Sequence, residues 1–164
     1  MDNQYSESDK SGGASPFTWT LRVYYEDTDA GGVVYHANYL RFAERARTEA
    51  LRDLGVPHSE MTSQHGVMFM VRRIKVDYLG PALLDDSLVV ITEPLAVRAA
   101  SVDLRQGVVR LPERKLVVLE VQLACVRLSD QRPARLPARW REALLAMGTA
   151  TKPRTGQNDA IVRP

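Results

Sequence analysis

The run Tyr24-Tyr25-Glu26-Asp27-Thr28-Asp29-Ala30-Gly31-Gly32-Val33-Val34-Tyr35-His36-Ala37-Asn38-Tyr39 sets a carboxylate, Asp29, and an imidazole, His36, on either side of a glycine pair and against the start of a helix. An acid group can activate water, an imidazole exchanges protons near neutral pH, and backbone N–H groups at a helix start stabilise a developing oxyanion. Each feature alone has an ordinary explanation. An Asp before a helix is usually a capping or turn residue, and a lone His there is often a surface one. Their concentration in one short segment singles it out.

The flanking pattern provides the scaffold. Leu21, Val23 and Tyr25 alternate with Thr20, Arg22 and Tyr24, the period-two pattern of a half-buried strand ending near Glu26. That strand hands Asp29 to a turn in which Gly31 and Gly32 permit backbone conformations closed to other residues and let a ligand approach the main chain. Tyr39, Phe42, Ala43, Ala46, Ala50 and Leu54 then recur at three-and-four spacing, with Arg41, Glu44, Arg45, Arg47, Glu49 and Arg52 between them. This spacing predicts an amphipathic helix over residues 37–54, ended by Gly55 and Pro57. Its first turn faces the glycine bend, so unpaired N–H groups and the positive end of the macrodipole meet any anionic oxygen there. Glu26 and Asp27 read as turn acids.

The stretch from Arg22 to Leu51, and above all Tyr25 to Tyr39, resembles the signature of the hotdog-fold acyl-CoA thioesterases related to 4-hydroxybenzoyl-CoA thioesterase. Within them it is most similar to the YbgC branch, thioesterases encoded beside the Tol-Pal envelope system of bacteria. The resemblance implies an acyl-CoA substrate and no cofactor. It puts the catalytic carboxylate on Asp29, the histidine on His36 and the active-site tyrosine on Tyr25, with the oxyanion donors on backbone N–H near Tyr35 and His36. Asp29 would act as general base on water or attack the carbonyl itself to give a transient mixed anhydride, two routes the sequence leaves open. His36 would position water or protonate the departing sulfur, and the Tyr25 hydroxyl would orient one of these groups. Coenzyme A thiolate is a good leaving group, so no metal is required.

Further along, Arg72, Arg73 and Lys75 form a basic cluster suited to the phosphates of coenzyme A or simply to a solvated strand edge. Met68, Phe69 and Met70 read as acyl-pocket lining or as plain core. No Ser or Thr lies between Ser63 and Ser87, so that strand cannot contribute a hydroxyl as in some relatives. This weakens an aryl-CoA reading and favours a water held by His36. His58 and His65 read as surface histidines in a loop.

Composition bounds the rest. A chain of 164 residues that is 45% hydrophobic can bury one substantial core but is short for two, and a formal charge of +2 with interspersed signs makes no case for nucleic acid. No Gly-x-Ser-x-Gly elbow, phosphate loop, dinucleotide fingerprint or paired Cys/His spacing occurs, which argues against a serine hydrolase, a nucleotide enzyme or a zinc enzyme. Cys125 stands alone, which excludes an internal disulfide and suits a buried thiol in a reducing compartment. Residues 1–15 read as a disordered arm without the hydrophobic centre of a signal peptide, and residues 148–164 as a loose tail. No apolar run approaches the ~20 residues that span a bilayer, so a soluble, cytoplasmic protein is expected.

The alternation after the helix predicts strands from Val67 to Leu79, Ser87 to Glu93, Val97 to Leu111 and Arg114 to Leu128, then a short helix from Pro137 to Met147. Strand, helix and strand meander make an α+β domain over residues 16–147, a curved five-stranded antiparallel sheet wrapped around one long helix, which is the hotdog fold. One helix cannot cover both faces of such a sheet, so a partner is expected. The resemblance implies a homodimer or homotetramer with the site between protomers, and an acyl carrier protein is the alternative substrate carrier. Two rival readings stay open: another hotdog enzyme such as a hydroxyacyl dehydratase, and a noncatalytic acyl-CoA or acyl-carrier-protein binding partner of envelope machinery.

Overall fold

The computed structural model describes residues 16–147 and, by backbone alone, residues 154–156. The arm read for residues 1–15 and the remainder of the tail read for residues 148–164 lie outside the described residues. Strand β1 (Phe17–Arg22) buries Phe17 and Trp19 on alternate positions, as its sequence pattern requires. It stops short of the predicted end at Glu26. Val23 still exchanges backbone bonds with Asp85 and Asp86, at 3.1 and 3.0 Å, but the Asp27 carboxylate then accepts the Tyr24 N–H at 2.9 Å and Tyr25–Asp27 curls into a single 3₁₀ turn.

Helix α1 (Asn38–Asp53) buries Tyr39, Phe42, Ala43, Ala46, Ala50 and Leu51 along one stripe, and Gly55 at φ +71° turns the chain away after it. A second helix, α2 (His58–His65), stands where the sequence reads as a loop. Pro57 leads into it and Gly66, at φ +61°, closes it, yet only Met61 of its eight residues is buried. A short helix polar on nearly every side has no apolar period to betray it.

Four strands and a third helix follow: β2 (Val67–Tyr78), β3 (Ser87–Val97), β4 (Ser101–Arg110), β5 (Arg114–Arg127) and α3 (Ala138–Met147). Strand β3 runs past Pro94, where the sequence predicts its end, because a register shift between Pro94 and Ala96 accommodates the missing N–H. Strand β4 therefore begins at Ser101 rather than Val97. Five strands lie antiparallel in the order β2-β5-β4-β3-β1. A short β6 (Arg154–Gly156) adds in parallel beside β1, a strand inside the stretch that reads as tail.

Helix α1 lies against β1, β3 and β4, and α3 packs on β3 with Trp140, Leu144 and Met147 buried. The other sheet face is charged: Arg105 reaches Glu93 at 3.7 Å and Glu120 at 3.6 Å. Such exposed pairs add little stability but keep the face wet. At the sheet's end β2 has no neighbour on its outer side among the described residues, and Met70 and Val71 are exposed on it. Among the described residues no helix is long and apolar enough to cross a membrane.

Candidate active site

Asp29 heads a tight loop that closes on its own backbone. Its N–H donates to the Val33 carbonyl at 2.9 Å, its carbonyl accepts the Gly32 N–H at 2.9 Å, and its Oδ1 accepts the Gly31 N–H at 2.8 Å. Gly32 sits at φ +74°, and a Cβ at Gly31 would lie 3.1 Å from Asp29 Oδ1, so one glycine answers to conformation and the other to close approach. The base of the loop is pinned to the segment before β3: Thr28 bridges Val34, Val33 bridges Leu83, and the Val34 N–H donates to the Ala82 carbonyl at 2.9 Å. Ala82 in turn donates its N–H to the hydroxyl of buried Tyr39, at 2.9 Å, in the first turn of α1. Burial holds the Tyr39 phenol above its ordinary pKa, against the lowering effect of that bond. The Asp29 carboxylate itself is exposed and forms no ion pair among the described residues.

Asp27, which reads as a turn acid, is a buried clip between loop and helix. Its carboxylate holds the Tyr24 N–H, and its carbonyl accepts the Tyr35 N–H at 2.8 Å and the Nδ2 of buried Asn38 at 3.1 Å. The Tyr35 N–H is therefore engaged, which removes it from the pair of oxyanion donors that the family resemblance implies. The N–H groups of His36 and Ala37 have no acceptor among the described residues and stand free at the start of α1. Asp27 and Asn38 escape a reading of the sequence because their bonds run to a carbonyl whose place depends on the turn. The one hint is an Asn opening a helix, a residue type favoured at helix starts.

His36 is exposed, with its ring 4.5 Å from that of Tyr35 and its carbonyl accepting the Tyr78 hydroxyl at 3.0 Å. It opens onto a depression of about 400 Å³ lined by Val34, Tyr39, Tyr78, Leu79, Gly80 and Pro81. No hydrogen bond joins Asp29 to His36 among the described residues. Tyr25 is 82% exposed and its hydroxyl has no hydrogen-bond partner among the described residues, so no hydrogen bond joins it to Asp29 or His36.

Arg72 and Arg73 are exposed on β2, beside the register shift between Val71 and Arg73, and among the described residues no hydrogen bond or ion pair joins them to the Asp29 loop. Arg73 and Lys75 line a different depression whose wall includes Asp103 and Glu120. Met68 and Phe69 line a separate cavity, whereas Met70 is exposed. His58 is half-buried against Phe69 and His65 lies edge-on to Trp140. No cluster of three or more His, Cys, Asp or Glu side chains among the described residues could hold a metal ion.

A family model for the thioesterase-like superfamily matches residues 23–144, a span that includes Asp29 and His36. The acyl-CoA thioester hydrolase YbgC of Escherichia coli O157:H7 is 45% identical over 121 residues, which cover 74% of this chain and 90% of that protein. The acyl-CoA thioesterase YbgC of Haemophilus influenzae is 44% identical over 123 residues, covering 74% and 88%. Among solved structures, a probable thioesterase from Bartonella henselae superposes with a TM-score of 0.71 at 33% identity, over 75% of this chain and 100% of that one.

Proposed function

The chain belongs to the thioesterase-like superfamily, and on that footing we propose that it hydrolyses the thioester of an acyl-CoA, with Asp29 as the working carboxylate and the start of α1 as the oxyanion site. The observation that carries this reading is that one short segment presents both an exposed, backbone-held carboxylate, Asp29, and two N–H groups without acceptors among the described residues, those of His36 and Ala37. The thioester carbonyl oxygen would accept those two bonds, each worth about 2.7–4 kcal/mol to the transition state in studied oxyanion holes. In one route Asp29 takes a proton from water as its oxygen attacks the carbonyl carbon. In the other Asp29 attacks directly, and water then cleaves the mixed anhydride. The thiolate leaves in both, and His36, which lines the depression with Tyr39 and Tyr78, would hold the water or protonate the sulfur.

The catalytic unit in this reading is a homodimer or homotetramer acting in the cytoplasm. Tyr25, Tyr78, Leu79 and Leu83 are exposed beside the Asp29 loop in a single protomer, and the outer edge of β2 is unpaired. A second copy added at that edge would cover part of this apolar surface and bring Arg72, Arg73 or Tyr25 toward a bound acyl-CoA.

Thiol release from short, long and aromatic acyl-CoAs tests the function. The purified oligomer is expected to turn over at least one class with saturation, and a folded oligomer that releases thiol from none of them contradicts the reading. Acyl carrier protein thioesters run in parallel separate the two substrate carriers. A single turnover in ¹⁸O-water that leaves solvent oxygen in Asp29 identifies the nucleophilic route with water attacking the aspartyl carbonyl of the anhydride.

A further inference from the structure

Between α1, α2, α3 and β2 lies a cavity of about 320 Å³, the size of a small-ligand site. Its wall is mainly apolar, with Leu51, Met68, Phe69 and Leu104 among the lining residues, yet Arg47 stands in it and is only 9% exposed. Arg47 Nη1 donates to Gln106 Oε1 at 2.8 Å, while Gln106 Nε2 donates to the Ala43 carbonyl at 2.9 Å and to Thr92 Oγ1 at 2.8 Å. Gln106 and Thr92 are themselves fully buried. The Ala43 carbonyl can only accept, so the amide nitrogen is fixed toward it and the amide oxygen toward the guanidinium. This network anchors the cation without neutralising it.

Arg47 forms no ion pair among the described residues: Glu44, in the same wall, acts on it only through space and is exposed, with its carboxylate accepting the Thr48 hydroxyl at 2.9 Å. His58, in the same wall, has its pKa lowered mainly by burial and so adds no strong positive charge near neutral pH. A guanidinium has five N–H donors, and side-chain bonds among the described residues account for one of them here. A buried charge without a contacting counterion is costly, and an anion entering the cavity would offset that cost.

We propose that this cavity binds a carboxylate carried on an apolar body, the carboxylate on Arg47 and the body against Leu51, Met68, Phe69 and Leu104. Two molecules have that chemistry: a free carboxylic acid, and the far carboxylate of a dicarboxylic acyl thioester. The first stands independently of hydrolysis. The second rests on the acyl-CoA reading above.

Titration calorimetry of the full chain with hexanoate, octanoate and benzoate, each beside its matching alcohol, tests the free acid. Saturable binding about tenfold tighter for the acid is expected, because hydrogen bonds to a charged partner are the strong ones, and the preference should vanish in Arg47→Met. For the thioester, kcat/KM for adipoyl-CoA over hexanoyl-CoA should favour the former by a similar factor, again lost in Arg47→Met. A preference in the first comparison alone assigns the free acid; one in the second assigns the substrate. The proposal is overturned if neither comparison distinguishes the carboxylate, or if the distinction survives in a folded Arg47→Met. The wild-type ratios need no variant, and Arg47→Lys, which keeps the charge, should retain part of the preference. An oligomer inactive on every acyl-CoA would refute the hydrolysis reading and leave the calorimetric result standing.

Discussion

At the scale of single residues, the role proposed for Asp29 depends on a backbone that holds one carboxylate oxygen and leaves the other without a partner among the described residues. Gly31 is the tightest constraint, since a methyl there would press on Oδ1 from 3.1 Å. Gly31→Ala should therefore lower kcat by about tenfold or more through displacement of the carboxylate, with the folded state little changed, as thiol release beside a melting curve would report. Unchanged kcat would mean that the placement of Oδ1 is not critical. Asp29 and His36 stand out in the sequence as candidates because their residue types and the glycine pair between them are local facts. The donors do not: Tyr35 loses its N–H to the Asp27 carbonyl, a contact made by the fold of the turn. Cys125 follows its composition, buried and with its thiol pushed up to about 11 by desolvation, which leaves it inert as a nucleophile.

At the scale of elements, the loop and α1 act as one piece because Asp27 and Asn38 join them. Asn38→Ala deletes the buried bond to the Asp27 carbonyl and should cost about 1–3 kcal/mol in denaturant unfolding, with a loss of turnover larger than a merely destabilised but folded enzyme would show. Equal turnover at reduced stability would make the clip structural only. Helix α2 makes a separate statement about pH. Burial lowers the pKa of His58 from its ordinary value of 6.5, so below that pH the unfolded chain binds a proton that the folded chain resists. Melting temperature should fall as pH drops from 7 toward 5, and His58→Phe, which keeps an aromatic ring against Phe69, should flatten the fall; parallel curves would contradict this assignment. The long helix and the strand meander were legible from periods of 3.6 and 2, whereas α2 was not, because eight mostly polar residues carry no period. The bracket of Pro57 and Gly66 was its only trace. Strand β3 outran Pro94 for a tertiary reason, a bulge that the neighbouring strand tolerates.

At the scale of the whole molecule, one long helix covers one face of the sheet, and the ion pairs around Arg105 leave the other wet. The unpaired edge of β2, with Met70 and Val71 exposed, is the natural place for a second copy. A stable pairing of this kind buries roughly 1,200–2,000 Å² in total. Paired Met70→Glu and Val71→Glu substitutions should then yield monomers in sedimentation velocity and a parallel loss of thiol release, while a wild type that sediments as a fully active monomer would contradict a shared site. The central claim is chemical, and Asp29→Asn tests it most directly, because the amide keeps size and hydrogen bonding but removes the base and nucleophile. Thiol release should fall by about a thousandfold or more while coenzyme A affinity and oligomeric state match the wild type. A variant that binds equally and still turns over at the wild-type rate would show that Asp29 is not the working carboxylate.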